Sequence, residues 1–377
     1  MKPQPLMRRS SFSLWGLLEV AAVIGCLATV TGFLGRCWWI FELTCHFRLH
    51  LAGALGALAV LWAMKRRWRM VALCSAGAAV NAVLVWALLW PTDQNAPPGG
   101  PRLRLAAINV HTENERSDLV LEFLRRADAD VILLMEVNER WMNALAPLRT
   151  NYPQLIAESR ADNFGIALFS RLPLTNQAVV EFGLAEVPSV VATIAVGGQS
   201  VFLLGTHPLP PGSAESARLR TEQFREIAAR IRRCGMPAIV LGDLNATAGS
   251  PYFSELLRDS GLKNTSQGRG LFGSWPAWLP FARIALDHCL VSASIRVLDK
   301  QLGPRVGSDH LPVLVEVQIP SPRRSEAEAG PNWNAIDGTG PLSDPKIPAG
   351  ITAGGAGEND HDLSSQRWSP PEKRMRH

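Results

Sequence analysis

Six cysteines occur in 377 residues, with no Cys-x-x-Cys pair and no Cys/His spacing of the kind that holds zinc. That excludes a zinc ribbon and leaves buried or free thiols. Cys37 and Cys45 are placed to bridge across one external loop, though nothing in the sequence requires it. Charge is nearly missing from three apolar runs, Leu14 to Leu34, Leu49 to Met64 and Met70 to Trp90. Three short segments with so little internal charge offer no pathway for an ion or solute, which argues against a transporter or channel. Also missing is a long basic insertion with interleaved aromatics, the feature that tracks a nucleic-acid strand. Its absence disfavours a processive or sequence-reading nuclease.

What is abundant is apolar residue, 47% of the chain, concentrated at the N-terminus. A spanning helix needs about 20 apolar residues. The first and third runs qualify directly. The second qualifies if Phe47 is included and Arg48 and His50 sit near the interface. The sequence therefore predicts a transmembrane module over residues 1–91, with helices at about 14–34, 47–64 and 70–90. Trp38, Trp39, Trp86 and Trp90 fall near the ends, as interfacial aromatics do. A cleaved signal peptide would be shorter than the first run and would not be followed by two more. Gly53, Gly56 and Gly77, with neighbouring alanines, suit close helix packing. Glu19 and Asn81 read as packing or interface residues.

The net charge is +5 and the pI about 9.1, but much of the excess flanks the apolar runs. Lys2, Arg8 and Arg9 precede the first, and Lys65, Arg66, Arg67 and Arg69 separate the second from the third. Basic flanks stay cytoplasmic. Three spans then put everything after Trp90 outside the cytoplasm, so the expectation is a multi-pass protein of the plasma (inner) membrane with an extracytoplasmic domain. Residues 92–101 read as a linker and 320–377, rich in Pro, Gly, Ser and charge, as a disordered tail.

Between them, residues 102–319 alternate strand-like and helix-like segments. The stretch Pro237 to Asn245 is the most informative: an apolar strand stops at Gly242 and delivers Asp243 and Asn245 just beyond. Strand geometry, if it persists, would put those two on one surface. Other strand ends carry Asn109, Glu136, His207, Asp287, and Asp309 with His310. Val190–Val196 and Val201–Gly205, joined through Gly197-Gly198-Gln199, form a hairpin signal. Ser117 is the candidate N-cap of a helix over 117–127. Ala214 to Arg233 is a long amphipathic helix with Arg218 and Arg220 expected on its solvated face. Converging carboxylates and amides make an oxygen-rich pocket of the kind hard divalent ions prefer, and nearby histidines supply proton transfer or positive charge.

The ordered set Ile-Asn109, Glu136-Val, Thr206-His207, Gly242-Asp-Leu-Asn245, Leu286-Asp287-His288 and Gly307-Ser308-Asp309-His310 resembles the endonuclease/exonuclease/phosphatase family, of DNase-I-like fold. The stretches Gly165 to Pro173 and Phe272-Gly-Ser-Trp275-Pro276 look like it too. The resemblance implies an α/β (α+β) four-layered sandwich of two mixed β-sheets flanked by helices, over 102–319, and divalent-metal-dependent phosphoester hydrolysis with Mg²⁺ or Mn²⁺. By that analogy Glu136 is the principal metal ligand, helped by Asn109 and Asp309. Asp243 orients or deprotonates the attacking water, and Asn245 holds Asp243 or a phosphate oxygen. His310, paired with Asp287 or Asp309, stabilises phosphoryl charge, and His207 binds phosphate or protonates the leaving oxygen. His111 and His288 are expected in supporting positions, and Trp275 in the core or the pocket wall.

The implied substrate is a phosphoester: nucleic acid, nucleotide or a phospholipid head group. No protein partner is evident. The competing class is a non-catalytic membrane-bound binding protein that retains the fold, and the complete set of acids, amides and histidines speaks against it.

Overall fold

The structure, a computed structural model, describes residues 13–90 and 99–321. The linker expected over 92–101 is thus described only from residue 99, and the tail expected over 320–377 only to residue 321. The rest of both, with Lys2, Arg8 and Arg9, lies outside the described residues.

Four helices come first: α1 (Leu14–Thr31), α2 (Trp39–Cys45), α3 (Arg48–Met64) and α4 (Trp68–Leu89). The segments Leu14–Leu34 and Trp68–Leu89 are each long and apolar enough to cross a membrane, and α2 with α3, bent by 68° at their break, qualify as a third if they form one span. Ala22, Leu55, Ala59, Trp62 and Cys74 pack together between the helices. A Cβ at Gly77 would stand 2.8 Å from Leu55 Cδ1, so that glycine admits the leucine, whereas Gly53 and Gly56 face open space and pack against nothing. Arg48 begins α3. It is buried, and its guanidinium donates to Thr29 O (2.8 Å) and Asn81 Oδ1 (3.1 Å). Asn81 donates in turn to Thr29 Oγ1 at 2.7 Å. Buried polar groups need partners, and here α1, α3 and α4 supply them to one another. Glu19 also has one, Arg67, at 3.2 Å.

The following domain runs β1 (Arg102–Asn109), α5 (Ser117–Ala127), β2 (Val131–Met135), α6 (Glu139–Ala144), β3 (Gln154–Glu158), β4 (Ile166–Ser170), β5 (Leu174–Glu181), β6 (Pro188–Val196), β7 (Gln199–Thr206), α7 (Ala214–Arg233), β8 (Ala238–Asp243), α8 (Pro251–Ser260), β9 (Leu262–Asn264), β10 (Asp287–Ser292), β11 (Arg296–Leu302) and β12 (Val313–Gln318). Two six-stranded sheets form, in the orders β11-β12-β1-β2-β4-β3 and β5-β6-β7-β8-β10-β9. Each has one parallel pair, β1–β2 or β7–β8, among antiparallel neighbours. Parallel pairing needs a crossover, and α5 and α7 provide them.

Side-chain alternation explains the layers. Leu103, Leu105 and Ala107 of β1 point between the sheets, where they join Leu203, Ile239 and Leu241. Ala106 and Ile108 point outward onto Val120, Phe123 and Leu124 of α5. On the far side Phe224, Ile227 and Phe253 seat α7 and α8 on the second sheet. The result is the four-layered sandwich of two mixed sheets flanked by helices.

Two local expectations change. Ser117 is the first residue of α5 rather than its N-cap; Asn114 Oδ1 accepts from Arg116 N at 2.9 Å and fixes the entry. On α7, Arg218 does lie on the solvated face, between Glu215 and Glu222, but Arg220 is fully buried. Its guanidinium donates to both carboxylate oxygens of Glu42 (2.7 and 2.6 Å) and to Asn245 O (2.8 Å). Ser250 Oγ donates to the same carboxylate at 2.7 Å. This partner explains why α2, which the sequence does not announce, exists: it carries Glu42 into the domain. His46 with Thr247 (3.0 Å) and Arg36 with Glu255 (2.7 Å) add to the junction.

Candidate active site

The topology gathers the strand-end residues at one rim. Parallel β1, β2, β7 and β8 present their C-terminal ends there, carrying Asn109, Glu136, His207 and Asp243. Antiparallel β10 and β12 start at the same rim, and the register pairs Asp287 directly with Asp243. Asp309 and His310 lie just before β12. Gly242 makes the approach of β7 and β8 possible. Its φ is +153°, and a Cβ would lie 1.8 Å from Thr206 O.

Asp243 is buried and is the hub. Its Oδ2 lies 3.3 Å from Asn109 Nδ2 and 3.6 Å from both His207 Nε2 and His310 Nε2. Its Oδ1 accepts from Asn245 N at 2.9 Å. The strand ends at Asp243, and Asn245 has φ +48°, so extended geometry does not carry the Asn245 amide onto the Asp243 surface. Its Nδ2 donates instead to Pro208 O at 2.9 Å, tying the loop after β8 to the loop after β7.

Glu136 stands beside this hub with φ +62°, a left-handed backbone that costs energy outside glycine and clusters at functional sites. Oε1 accepts from Asn109 Nδ2 at 2.8 Å and Oε2 from Thr112 N at 3.1 Å. His111 Nδ1 lies between Glu136 Oε2 (3.7 Å) and Asp309 Oδ1 (3.4 Å). Asp309 Oδ2 accepts from Trp275 Nε1 at 3.0 Å, so Trp275 orients an acid rather than filling the core. Asp309 Oδ1 is buried without a hydrogen-bond partner.

His310 is set by Asp287, whose Oδ2 lies 2.7 Å from Nδ1. Burial alone would push the imidazole down. The carboxylates of Asp287 and Asp243 outweigh it and raise the pKa from 6.5 to about 10, so the ring is a fixed cation at neutral pH. Ser308 Oγ accepts from His310 N (3.0 Å) and donates to Asn109 O (2.7 Å), joining the two motifs. His207 is buried, with Nδ1 unpartnered and the ring 5.4 Å from Phe164. His288 is apart from the rim. Its Nε2 faces Ala246 O and Ala285 O, and the ring packs on Phe253.

All eight predicted residues therefore come to one region, with the Asn245 side chain turned aside. Spacing gave no sign of Thr112 or of the serine's double bond. Two donor sets suit a cation. Asp243, Asp287 and His310 hold atoms within 4.8 Å of one another, a group that could hold a metal ion. Glu136 and Asp309 add carboxylate oxygens on either side of His111, the donor type a hard divalent ion prefers, while Asn109 turns its amide nitrogen to Glu136 and its Oδ1 accepts from His111 N at 3.0 Å.

Among solved structures, the endonuclease/exonuclease/phosphatase from Bacteroides vulgatus is similar at a TM-score of 0.50, with 17% identity, covering 58% of this chain and 99% of that one. The human Nocturnin catalytic domain with bound sulfate gives 0.49, 20%, 58% and 95%. The protein of the same description from Beutenbergia cavernae gives 0.48, 20%, 58% and 72%. Identities this low speak to the fold alone. No curated protein matches the chain in sequence. The Endonuclease/Exonuclease/phosphatase family model matches residues 106–310, more than half of the chain. With its sheets and rim arranged as described, this chain belongs to the endonuclease/exonuclease/phosphatase family, whose members are typically metal-dependent phosphoester hydrolases.

Proposed function

We propose that the chain is a membrane-anchored, divalent-metal-dependent phosphodiesterase or nuclease, and that residues 102–319 are its catalytic domain. The observation that carries this reading is the convergence of His207, His310 and Asn109 on Asp243 Oδ2, beside Glu136. Glu136, Asn109 and Asp309 would hold Mg²⁺ or Mn²⁺, which when bound supplies Lewis-acid neutralisation of phosphoryl charge. Asp243 accepts a proton from water as its oxygen attacks phosphorus. The His310 cation, held by Asp287, faces the negative charge that develops. His207 donates a proton to the departing oxygen or binds a phosphoryl oxygen.

The membrane arrangement is also part of the proposal. The domain meets Arg36, α2 and the C-terminal end of α4, helix ends opposite the basic Lys65–Arg69 turn. That supports an extracytoplasmic domain, with α2 and α3 acting as one span. A protease added to sealed right-side-out cells should cut within 102–319; complete protection would reverse the orientation.

A specific observation favours a phospholipid head group as the second reading of the substrate. The loop carrying Trp275 exposes Leu271, Trp278 and Phe281, an apolar tip suited to a bilayer surface. The test is the full-length protein in detergent against DNA, RNA, phospholipid vesicles and a bis-aryl phosphodiester, with Mg²⁺, Mn²⁺ or chelator. Chelator-sensitive cleavage lost in Glu136→Ala and His310→Ala is the expected result. Cleavage indifferent to chelator and to both substitutions would sink the reading.

A further inference from the structure

We propose that the cavity between the N-terminal helices and the catalytic domain is a binding site for an anionic phospholipid, separate from the active site. It holds about 470 Å³, within the range of roughly 300–1,000 Å³ for small-molecule sites. Phe33, Leu84 and Leu88 form one wall; Leu271, Phe272 and Ile284 form the other. Asn109, Glu136, His207, Asp243, Asp287 and His310 do not line it, although His288, set apart from the rim, does.

The charge of the lining is one-sided. Among the described residues no aspartate or glutamate lines the cavity, while Arg36, Arg48 and Arg283 do. Arg36 is paired with Glu255. Arg48 and Arg283 bond to neutral oxygens, and Arg48 also to the Cys45 sulfur; neither meets a carboxylate among the described residues. A buried cation without a counter-ion is destabilising, and a guanidinium fork matches phosphate geometry.

An unsatisfied donor points the same way. Arg283 Nε–H is buried with no partner, and so is the Nε2 atom of His46, whose Nδ1 lies 3.0 Å from Thr247 Oγ1. Both belong to residues lining the cavity. Buried polar atoms rarely go unpaired without a reason. Unpaired guanidiniums and the orphan Arg283 N–H make an anion-binding end; the apolar walls make room for an acyl chain. Free phosphate would leave those walls unfilled.

Position agrees with this. Gln267 Nε2 donates to Ala87 O and Trp90 O, both at 3.0 Å, fixing the cavity at the end of an apolar helix. The adjoining segment exposes Trp278 and Phe281, as at a membrane–water boundary.

The test uses the full-length protein in detergent, carrying Glu136→Ala so that turnover does not consume the probe. Thermal unfolding is followed with short-chain phosphatidylglycerol, short-chain phosphatidylcholine and inorganic phosphate. Phosphatidylglycerol should raise the midpoint saturably and the other two should not. Arg283→Gln and, separately, Leu271→Asp should each weaken the phosphatidylglycerol effect about tenfold or more. Leu271 is half exposed, so its substitution keeps the test available if Arg283→Gln does not fold. Equal shifts with phosphatidylcholine, the same shift with phosphate alone, or unchanged phosphatidylglycerol binding in a folded variant would overturn the proposal.

Discussion

Three side chains aim at a single oxygen, Oδ2 of Asp243, and that oxygen accepts none of them at close range: the contacts are 3.3, 3.6 and 3.6 Å. On the proposed reading, a water and a phosphoryl group would meet beside this oxygen. Asp243→Asn preserves shape and removes the proton acceptor. Its kcat should fall about 10²- to 10⁴-fold, the usual contribution of a positioned base, with metal affinity from a Mn²⁺ titration unchanged. A fall in affinity equal to that of Glu136→Ala would instead make Asp243 a ligand. The acids and amides at this site were legible because each interrupts an apolar run at a strand end. Thr112 was not, and His111 was legible only as a neighbour of Asn109. They reach Glu136 through backbone turns, His111 itself at φ +60°, and no spacing in the sequence encodes such a turn.

Among the elements, α2 and α7 are coupled by burial. Arg220 and Glu42 are both fully inaccessible, and a buried pair that loses one member leaves an uncompensated charge, worth about 3–5 kcal/mol. Glu42→Ala should lower the thermal midpoint sharply, and the double variant Glu42→Ala, Arg220→Met should recover part of it. A double variant no more stable than the single would disprove the coupling. By spacing, Arg220 falls on the buried stripe of α7 with Ala217, Phe224, Ile227 and Ile231; its charge pointed to solvent only because its partner lies far away in the chain. The strands tell a similar story. The eight read from the sequence are β1, β2, β4, β6, β7, β8, β10 and β12; the four missed, β3, β5, β9 and β11, are the four edges of the two sheets. Edge strands are partly wet: β5 buries one residue of Leu174–Glu181 fully and leaves most of the rest exposed, so no apolar run marks it.

For the whole molecule, pH is a test of the core. Burial, reinforced by the charge of Lys300, pushes the His288 pKa down from 6.5 to about 4. Above pH 6.5 neither the folded nor the unfolded chain protonates this ring. Below it the unfolded chain takes up a proton that the fold refuses until about pH 4. Stability is therefore lost as pH falls through this window, by about 3 kcal/mol from this one group. The thermal midpoint of the full-length protein should drop between pH 7 and 4, and His288→Gln should flatten that drop; an identical slope in the variant would remove His288 as the cause.

The Glu42–Arg220–Asn245 chain also bears on how the protein is best handled at the bench. Trimming the gene to begin at residue 102 yields a fragment that looks like a complete catalytic unit, yet the cut removes Glu42 and His46 together. Arg220 would then face water on one side while still holding the Asn245 carbonyl on the other, two residues from Asp243. Such a fragment would report the behaviour of a loosened rim, and low turnover from it would say more about the missing helix than about the chemistry.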